Sequence, residues 1–373
     1  MTSIYEVAVK AGVSITTVSH VFSGNRRVSE KTASRVFAAA KKLNYLPSST
    51  AKGLATGRSM IVGIAIPFSD AGETMRQNPY YSELLAHVSM AAANEGWAIL
   101  LVPPKFAQLS DSEQKGFLNR LDGVLVIDPI SADRNVEIAL RNGKRIVTIG
   151  RSLTHENLPF VDNSFSLGME QILEHALEQG YKFPTLILSA EKDSYQIELR
   201  KAFTDGAKRR SLRAKILHLP SMEEVVAYQN ALRILSSKHR PDLIVAYTDW
   251  AAVAVLRAAR NLGIRVPESL GVVGAGDTVL ATTSNPTLTT ITPFPQLLAA
   301  AAVRLFIEGL SDQAAPAEVI LSCELIVRAS TNRPPRSELG SLPPEKAPRP
   351  AVAPTPRRSR RRHGSRNGGS DPS

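Results

Sequence analysis

Ser3-Ile4-Tyr5-Glu6-Val7-Ala8-Val9-Lys10-Ala11-Gly12-Val13-Ser14-Ile15-Thr16-Thr17-Val18-Ser19-His20-Val21-Phe22 decides how the chain begins. Ser3 and Glu6 stand three apart as a capping box, in which the serine hydroxyl caps the N3 amide and Glu6 reaches back to the cap amide. A helix therefore starts at Ile4 and runs to about Lys10. Ala11-Gly12-Val13-Ser14 makes a short turn, with Gly12 supplying the positive φ of a tight reversal and Ser14 capping a second helix through Phe22. The pattern is a helix-turn-helix.

A third helix, capped by Ser29, carries Val36, Ala39, Ala40 and Leu43 at three- and four-residue spacing. It can bury a stripe against Val7, Ala8, Val18 and Val21. Ile15, Thr16, Thr17, Ser19 and His20 point away from that stripe and are short or hydrogen-bonding, as side chains entering a major groove need to be. The alternative is the solvated face of a small helical bundle, but that leaves the next segment unexplained. Ser48 to Ser59 reads as a serine-capped helix of barely two turns ending at Gly57, below the length at which an isolated helix is stable. Gly53 weakens it by a further ~1 kcal/mol relative to alanine. Leu54, its one large apolar side chain, suits a wedge between base steps in a minor groove.

These residues resemble the head and hinge of the LacI/GalR family of bacterial transcription repressors. The resemblance lies in Ile4-Tyr5-Glu6-Val7-Ala8, Ala11-Gly12-Val13-Ser14, Thr17-Val18-Ser19, Arg27-Val28-Ser29-Glu30-Lys31-Thr32, Leu43-Asn44-Tyr45-Leu46-Pro47 and Ala51-Lys52-Gly53-Leu54. It implies that Ile15, Thr16 and His20 read bases, and that Tyr5, Ser14, Thr17, Ser19 and Asn25 clamp phosphates, with Ser29 in the same DNA-facing set. It also implies that Leu54 from two subunits kinks the operator centre. Two positions depart from the family pattern. His20 stands where arginine is usual, so the bidentate guanine contact is absent. Lys52 replaces the hinge arginine and can hold a phosphate only as a point charge.

Charge is distributed to match. The chain has 373 residues and a net charge of +11. Residues 1–58 carry nine Lys/Arg against two acidic residues, a net of +7. Residues 334–373 carry nine against three, a net of +6. The intervening stretch of about 275 residues is near neutral and long enough to bury a substantial core. The C-terminal forty residues are rich in Pro, Ser and Gly, include Arg357-Arg358-Ser359-Arg360-Arg361-Arg362, and read as a disordered basic tail. Such a tail is either an electrostatic DNA tether or an inert solvated segment.

The middle alternates β-rich runs (61–66, 98–102, 123–127, 146–149, 185–188, 243–246 and 270–274) with amphipathic stretches (81–95, 166–179, 195–210 and 250–262). This is the βαβ rhythm of parallel sheets covered by helices on both faces. Its length suggests two lobes. Cys323, the single cysteine, excludes an internal disulfide; Val319-Ile320-Leu321 and Leu325-Ile326-Val327 around it read as a buried strand pair and the thiol as a core group.

The family resemblance continues through Arg265-Val266-Pro267-Glu268, Val272-Val273-Gly274, Pro286 to Ile291 and Glu324 to Thr331. It implies a periplasmic-binding-protein-like core of two doubly wound parallel-sheet lobes, with crossovers near Asp162, Thr292-Pro293 and Cys323. The expected organisation is a helix-turn-helix head (1–47), a hinge (48–59), a two-lobed core (60–333) and the tail (334–373). The N-lobe would hold about 60–161 plus 293–322, and the C-lobe about 162–292 plus 323–333.

Ligands of open parallel sheets bind outside the carboxyl ends of the strands. That rule nominates Ser69, Asp70, Arg151, Asp162, Asp249 and Asp277 as effector-binding, with Tyr80, Tyr81 and Trp250 as flat walls. The competing role for each aspartate is a helix N-cap. Against the pattern of sugar-binding family members, Leu199 replaces an arginine, Thr248 replaces an asparagine and Gly276 replaces an acidic residue. The loop from Pro67 to Tyr81 is also longer than usual. A simple hexose is therefore disfavoured relative to a less hydroxylated or larger effector, whether a sugar derivative or another small molecule; repression without any effector is the competitor.

No nucleophile-elbow, zinc-hydrolase, phosphate-loop or paired-cysteine pattern occurs, and the seven histidines show no ligand spacing. No enzyme activity, metal or cofactor is expected. The absence of an ~18-residue apolar run argues against a membrane span. A capped amphipathic helix at the N-terminus argues against a signal peptide, and with it against a solute-binding protein. The expectation is a cytoplasmic, nucleoid-associated, homodimeric or tetrameric regulator of a metabolic operon. It would bind a pseudo-palindromic double-stranded operator and respond to a small molecule between the lobes.

Overall fold

A computed structural model of the protein describes residues 3–23, 28–45, 58–66, 78–103, 105–189, 193–220, 224–310 and 318–334. Three helices lead: α1 Ile4–Ala11, α2 Ile15–Ser23 and α3 Glu30–Lys42. The capping box of α1 is formed, with the Ser3 amide donating to Glu6 at 2.9 Å, and Gly12 closes the helix at φ 63°. Val7, Ala8, Ala11, Val18, Val36, Ala39 and Ala40 form the small core, and the Phe22 ring meets Phe37 edge-on. Arg35 on α3 donates to the carbonyls of Ala11 and Gly12, satisfying the end of α1 and tying α3 to the turn.

Two six-stranded sheets follow. The first has strand order β11-β5-β4-β3-β1-β2, built from β1 Ile61–Ala65, β2 Ala98–Leu101, β3 Gly123–Ile127, β4 Arg145–Ile149, β5 Phe160–Ser164 and β11 Glu318–Ser322, all parallel. The second has order β12-β10-β9-β8-β6-β7, built from β6 Pro184–Ser189, β7 Lys215–Leu219, β8 Leu243–Ala246, β9 Gly271–Ala275, β10 Thr289–Thr292 and β12 Glu324–Ile326. It is parallel except for its edge strand β12, which runs antiparallel to β10. The chain passes between the sheets three times: after Ser164, after Thr292, and at Cys323.

Alternation of side chains along buried strands feeds both faces of each sheet. In β3, Leu125 and Ile127 pack with Leu84, Val88 and Ala302 on one face, while Val124 and Val126 pack with Phe106, Leu118 and Val136 on the other. In the second sheet Ile244 and Val272 meet the helix Asp249–Leu262, and Leu186, Leu188 and Val245 meet Ile172, Leu173 and Phe203.

The segments flanking Cys323 differ from the expectation of a buried strand pair. They are strands of two different sheets, β11 beside β5 and β12 beside β10, and β11 is alternately exposed because it is an edge. Cys323 itself is 3% exposed. Among the described residues no helix is long and apolar enough to cross a membrane.

Candidate functional site

The head presents a continuous exposed row. Tyr5 is 65% exposed and Ile15 39%, Ser14 and Thr16 are exposed, and Thr17, Ser19 and His20 are half-buried on the same helix. The Ser14 hydroxyl accepts the Thr17 amide at 3.1 Å and lies 2.8 Å from its hydroxyl, so the cap also fixes both side chains at the start of α2. Ser29 is exposed and its hydroxyl caps α3 on Thr32 at 3.4 Å. Asn25, Lys52 and Leu54 lie outside the described residues, as do Ser69 and Asp70. Downstream of the hinge segment Asp122 accepts from the amides of Ser59 and Met60, and Arg58 donates to the Leu310 carbonyl, so the chain is anchored where β1 begins.

The carboxyl ends of the two sheets face one another. Tyr80 and Tyr81 open the helix Pro79–Asn94 with rings 5.6 Å apart, and the Tyr80 Cβ lies close to Gly276 of the second lobe. A backbone bridge joins Ile130 of the first lobe to Asp193 of the second. Arg151 reaches Asp162 at 3.2 Å and, across the lobes, Glu198 at 3.7 Å, with its guanidinium 5.6 Å from the Phe160 ring. Burial pushes the Asp162 carboxyl above its ordinary range despite that partner.

Several residues that sequence reasoning did not nominate converge here. Asp128 follows β3 at φ 44°, accepts from the Tyr81 hydroxyl, and is pushed up to about 7 by burial and by the nearby Asp193. Asp193 is N-cap of the helix Ser194–Arg209, accepting the Gln196 amide at 2.7 Å, and its carboxyl is also raised by burial. Tyr195 donates to the Tyr247 carbonyl at 2.8 Å, and its ring meets Phe165 at 4.2 Å. The phenols of Tyr80, Tyr81 and Tyr195 are all raised, chiefly by desolvation. Only the strand-end rule could have found Asp128 and Asp193. Beside this cluster a cavity of about 700 Å³ opens between the 151–160 segment and the helix Ser194–Arg209, lined by Arg151, His155, Phe160, Ser194, Glu198 and Lys201.

Four residues singled out in the sequence have partners within the second lobe. Leu199 is 1% exposed in the second lobe's core beside Phe203, so it presents no surface to a ligand. Thr248 caps the helix Asp249–Leu262 by accepting the Ala251 amide at 3.2 Å. Asp249, 1% exposed, accepts the Thr290 hydroxyl at 2.6 Å and the Thr278 amide and hydroxyl at 2.7 and 2.9 Å. Its carboxyl is raised by burial against the opposing effect of these bonds. Gly274 permits this arrangement, since a Cβ there would collide with the Asp249 carboxylate. Asp277 pairs with Arg328 at 2.7 Å. Gly276, at φ 127°, occupies the place of the family's acidic residue with a backbone few side chains adopt.

Residues 3–48 match the family described as "Bacterial regulatory proteins, lacI family", and residues 173–331 match "Periplasmic binding protein-like domain". Over 313 residues the chain is 29% identical to "HTH-type transcriptional repressor PurR" of Yersinia pestis (strain Pestoides F), covering 78% of this chain and 85% of that protein. Identity and coverage are the same for the protein of that name in Yersinia pseudotuberculosis serotype O:1b (strain IP 31758). The fold is similar to the lac repressor dimer bound to operator and the anti-inducer ONPF, with TM-score 0.70 and 22% identity over 88% of this chain and 99% of that one. It is also similar to the transcriptional regulator CelR in complex with cellobiose, with TM-score 0.65 and 23% identity over 88% and 100%. With a lacI-type head followed by a periplasmic-binding-protein-like core, the chain belongs to the LacI/GalR family of bacterial transcriptional regulators.

Proposed function

We propose that this protein is a DNA-binding transcriptional repressor whose two-lobed core binds a small molecule that sets its affinity for the operator. The observation that carries the reading is the exposed row Ser14-Ile15-Thr16 at the start of a capped second helix, with Tyr5 beside it, on a head that leads into a ligand-binding core. Short side chains at a helix N-terminus can approach base edges closely, and the helix N-terminus favours nearby phosphate. Half-buried His20 replaces the long forked donor of the family, so base choice at its position rests on one imidazole rather than a bidentate guanidinium.

The protein acts in the cytoplasm as a dimer on a pseudo-palindromic operator. Effector binding between the lobes changes their relative angle, and the chain anchored by Asp122 carries that change to the hinge and to Leu54. Repeated selection of bound sites from a random duplex pool by the purified protein tests this. The expected result is a palindrome of about twenty base pairs, two half-sites separated by helical turns, with a kinkable central step. Retention of unrelated duplexes with no shared motif would overturn the assignment.

A further inference from the structure

The charge of the cleft points to the chemistry of its occupant. Asp128 and Asp193 come from opposite lobes, on loops joined by the Ile130–Asp193 bridge. Among the described residues neither forms an ion pair with a lysine or arginine: Asp128 accepts from Tyr81, and Asp193 from the amide and side chain of Gln196. Asp162 and Glu198 share one cation, Arg151. Among the described residues Asp128 and Asp193 thus lie together beside Tyr80, Tyr81 and Tyr195 with no cation paired to either. Two carboxylates held this close repel one another, and an arriving cation relieves that repulsion as proton uptake does. A phosphorylated or carboxylated ligand would add to the repulsion, and a neutral polyol could donate hydrogen bonds to the carboxylates but bring no opposite charge. Carboxylates combined with aromatic faces are the surroundings that hold an ammonium group.

We propose that the effector carries a protonated amine, seated between Asp128 of one lobe and Asp193 of the other among the Tyr80, Tyr81 and Tyr195 rings. The proposal rests on the reading that the core binds an effector and adds its charge. A cation bridging the two lobes binds the closed arrangement better than the open one, which is the differential affinity an allosteric ligand needs.

The test is calorimetric titration of the full chain at about pH 8, where free carboxylates are ionised. The probes are tyramine, spermidine and glucosamine against their uncharged counterparts tyrosol, triethylene glycol and glucose, with glucose 6-phosphate as the anion. The expected result is that at least one amine binds about tenfold or more tightly than its counterpart. That preference should disappear in the D128N/D193N double variant, whose folding is checked by cooperative thermal unfolding. If glucose, another neutral probe or the phosphate binds while every amine fails, or if the amine preference survives in the variant, the cationic assignment falls and the effector reading stands. If no probe of any charge binds, both fall.

Discussion

Thr290→Val would separate scaffold from ligand site in the second lobe. Thr290 is fully buried, and its hydroxyl donates to Asp249 Oδ1 at 2.6 Å and accepts the Asp277 amide at 3.3 Å. Valine keeps the shape, so no cavity forms. What is lost is a hydrogen bond to a charged acceptor, about 1.5–3 kcal/mol, partly offset by burying a methyl in place of a hydroxyl. A net loss of about 2 kcal/mol follows, which for a core of this size lowers the melting midpoint by roughly 4–8 °C.

The pH dependence has a definite sign. Burial already raises the Asp249 carboxyl above its unfolded value, while the Thr290 and Thr278 bonds pull it down. Removing Thr290's bond raises it further, so the deficit grows as pH climbs through the raised folded-state range, where the carboxylate must ionise inside the lobe. Below the unfolded pKa the carboxyl is neutral in both states, and the deficit shrinks toward that of a neutral hydrogen bond. Denaturant titrations of the two proteins across this range measure it. A deficit below about 0.5 kcal/mol, or one that does not vary with pH, would refute the argument that Asp249 is held as a buried, hydrogen-bonded carboxyl.

Two predictions concern DNA. Leu54→Ala should weaken operator binding by about tenfold or more while leaving nonspecific binding nearly intact, because a wedge acts only where the duplex is kinked; equal operator affinity in fluorescence anisotropy would refute the wedge. Deleting residues 334–373 removes nine Lys/Arg and three acidic residues, so if the tail touches phosphates the slope of log affinity against log salt should flatten by about 0.9 for each phosphate it had neutralised; an unaltered slope would show the tail to be inert toward DNA.

Local signals were sufficient wherever the interaction itself is local. Ser3 with Glu6, Gly12, Ser14 and Ser29 declare caps and a turn within a few residues of themselves, so α1 to α3 were legible before any packing was known. Central strands such as β3 and β8 are continuous apolar runs because they are buried on both faces, and they too were readable. Other strands were not. β10 is Thr-Thr-Ile-Thr, a polar run that lies buried because Asp249, Ser330 and Thr331, 40 or so residues away in either direction, receive or supply its hydrogen bonds. β7 is a half-exposed edge that only pairing with β6 defines.

The strand-end rule pointed to the ends of the sheets but not to which side chains gather there. It named Asp249, whose burial among threonine hydroxyls makes it scaffold, and the family pattern drew in Leu199, which is core. Asp128 and Asp193 also follow strands but were not nominated; they are 65 residues apart along the chain and meet because two sheets present their carboxyl ends to each other. The amino-acid sequence alone settled the helices, their caps, the central strands and the family, because each depends on neighbours within a turn or on a repeating apolar pattern. Which carboxylates stand together at the carboxyl ends of the sheets was decided only by tertiary structure, since burial and charge proximity are properties of residues that the fold, not the chain order, brings together.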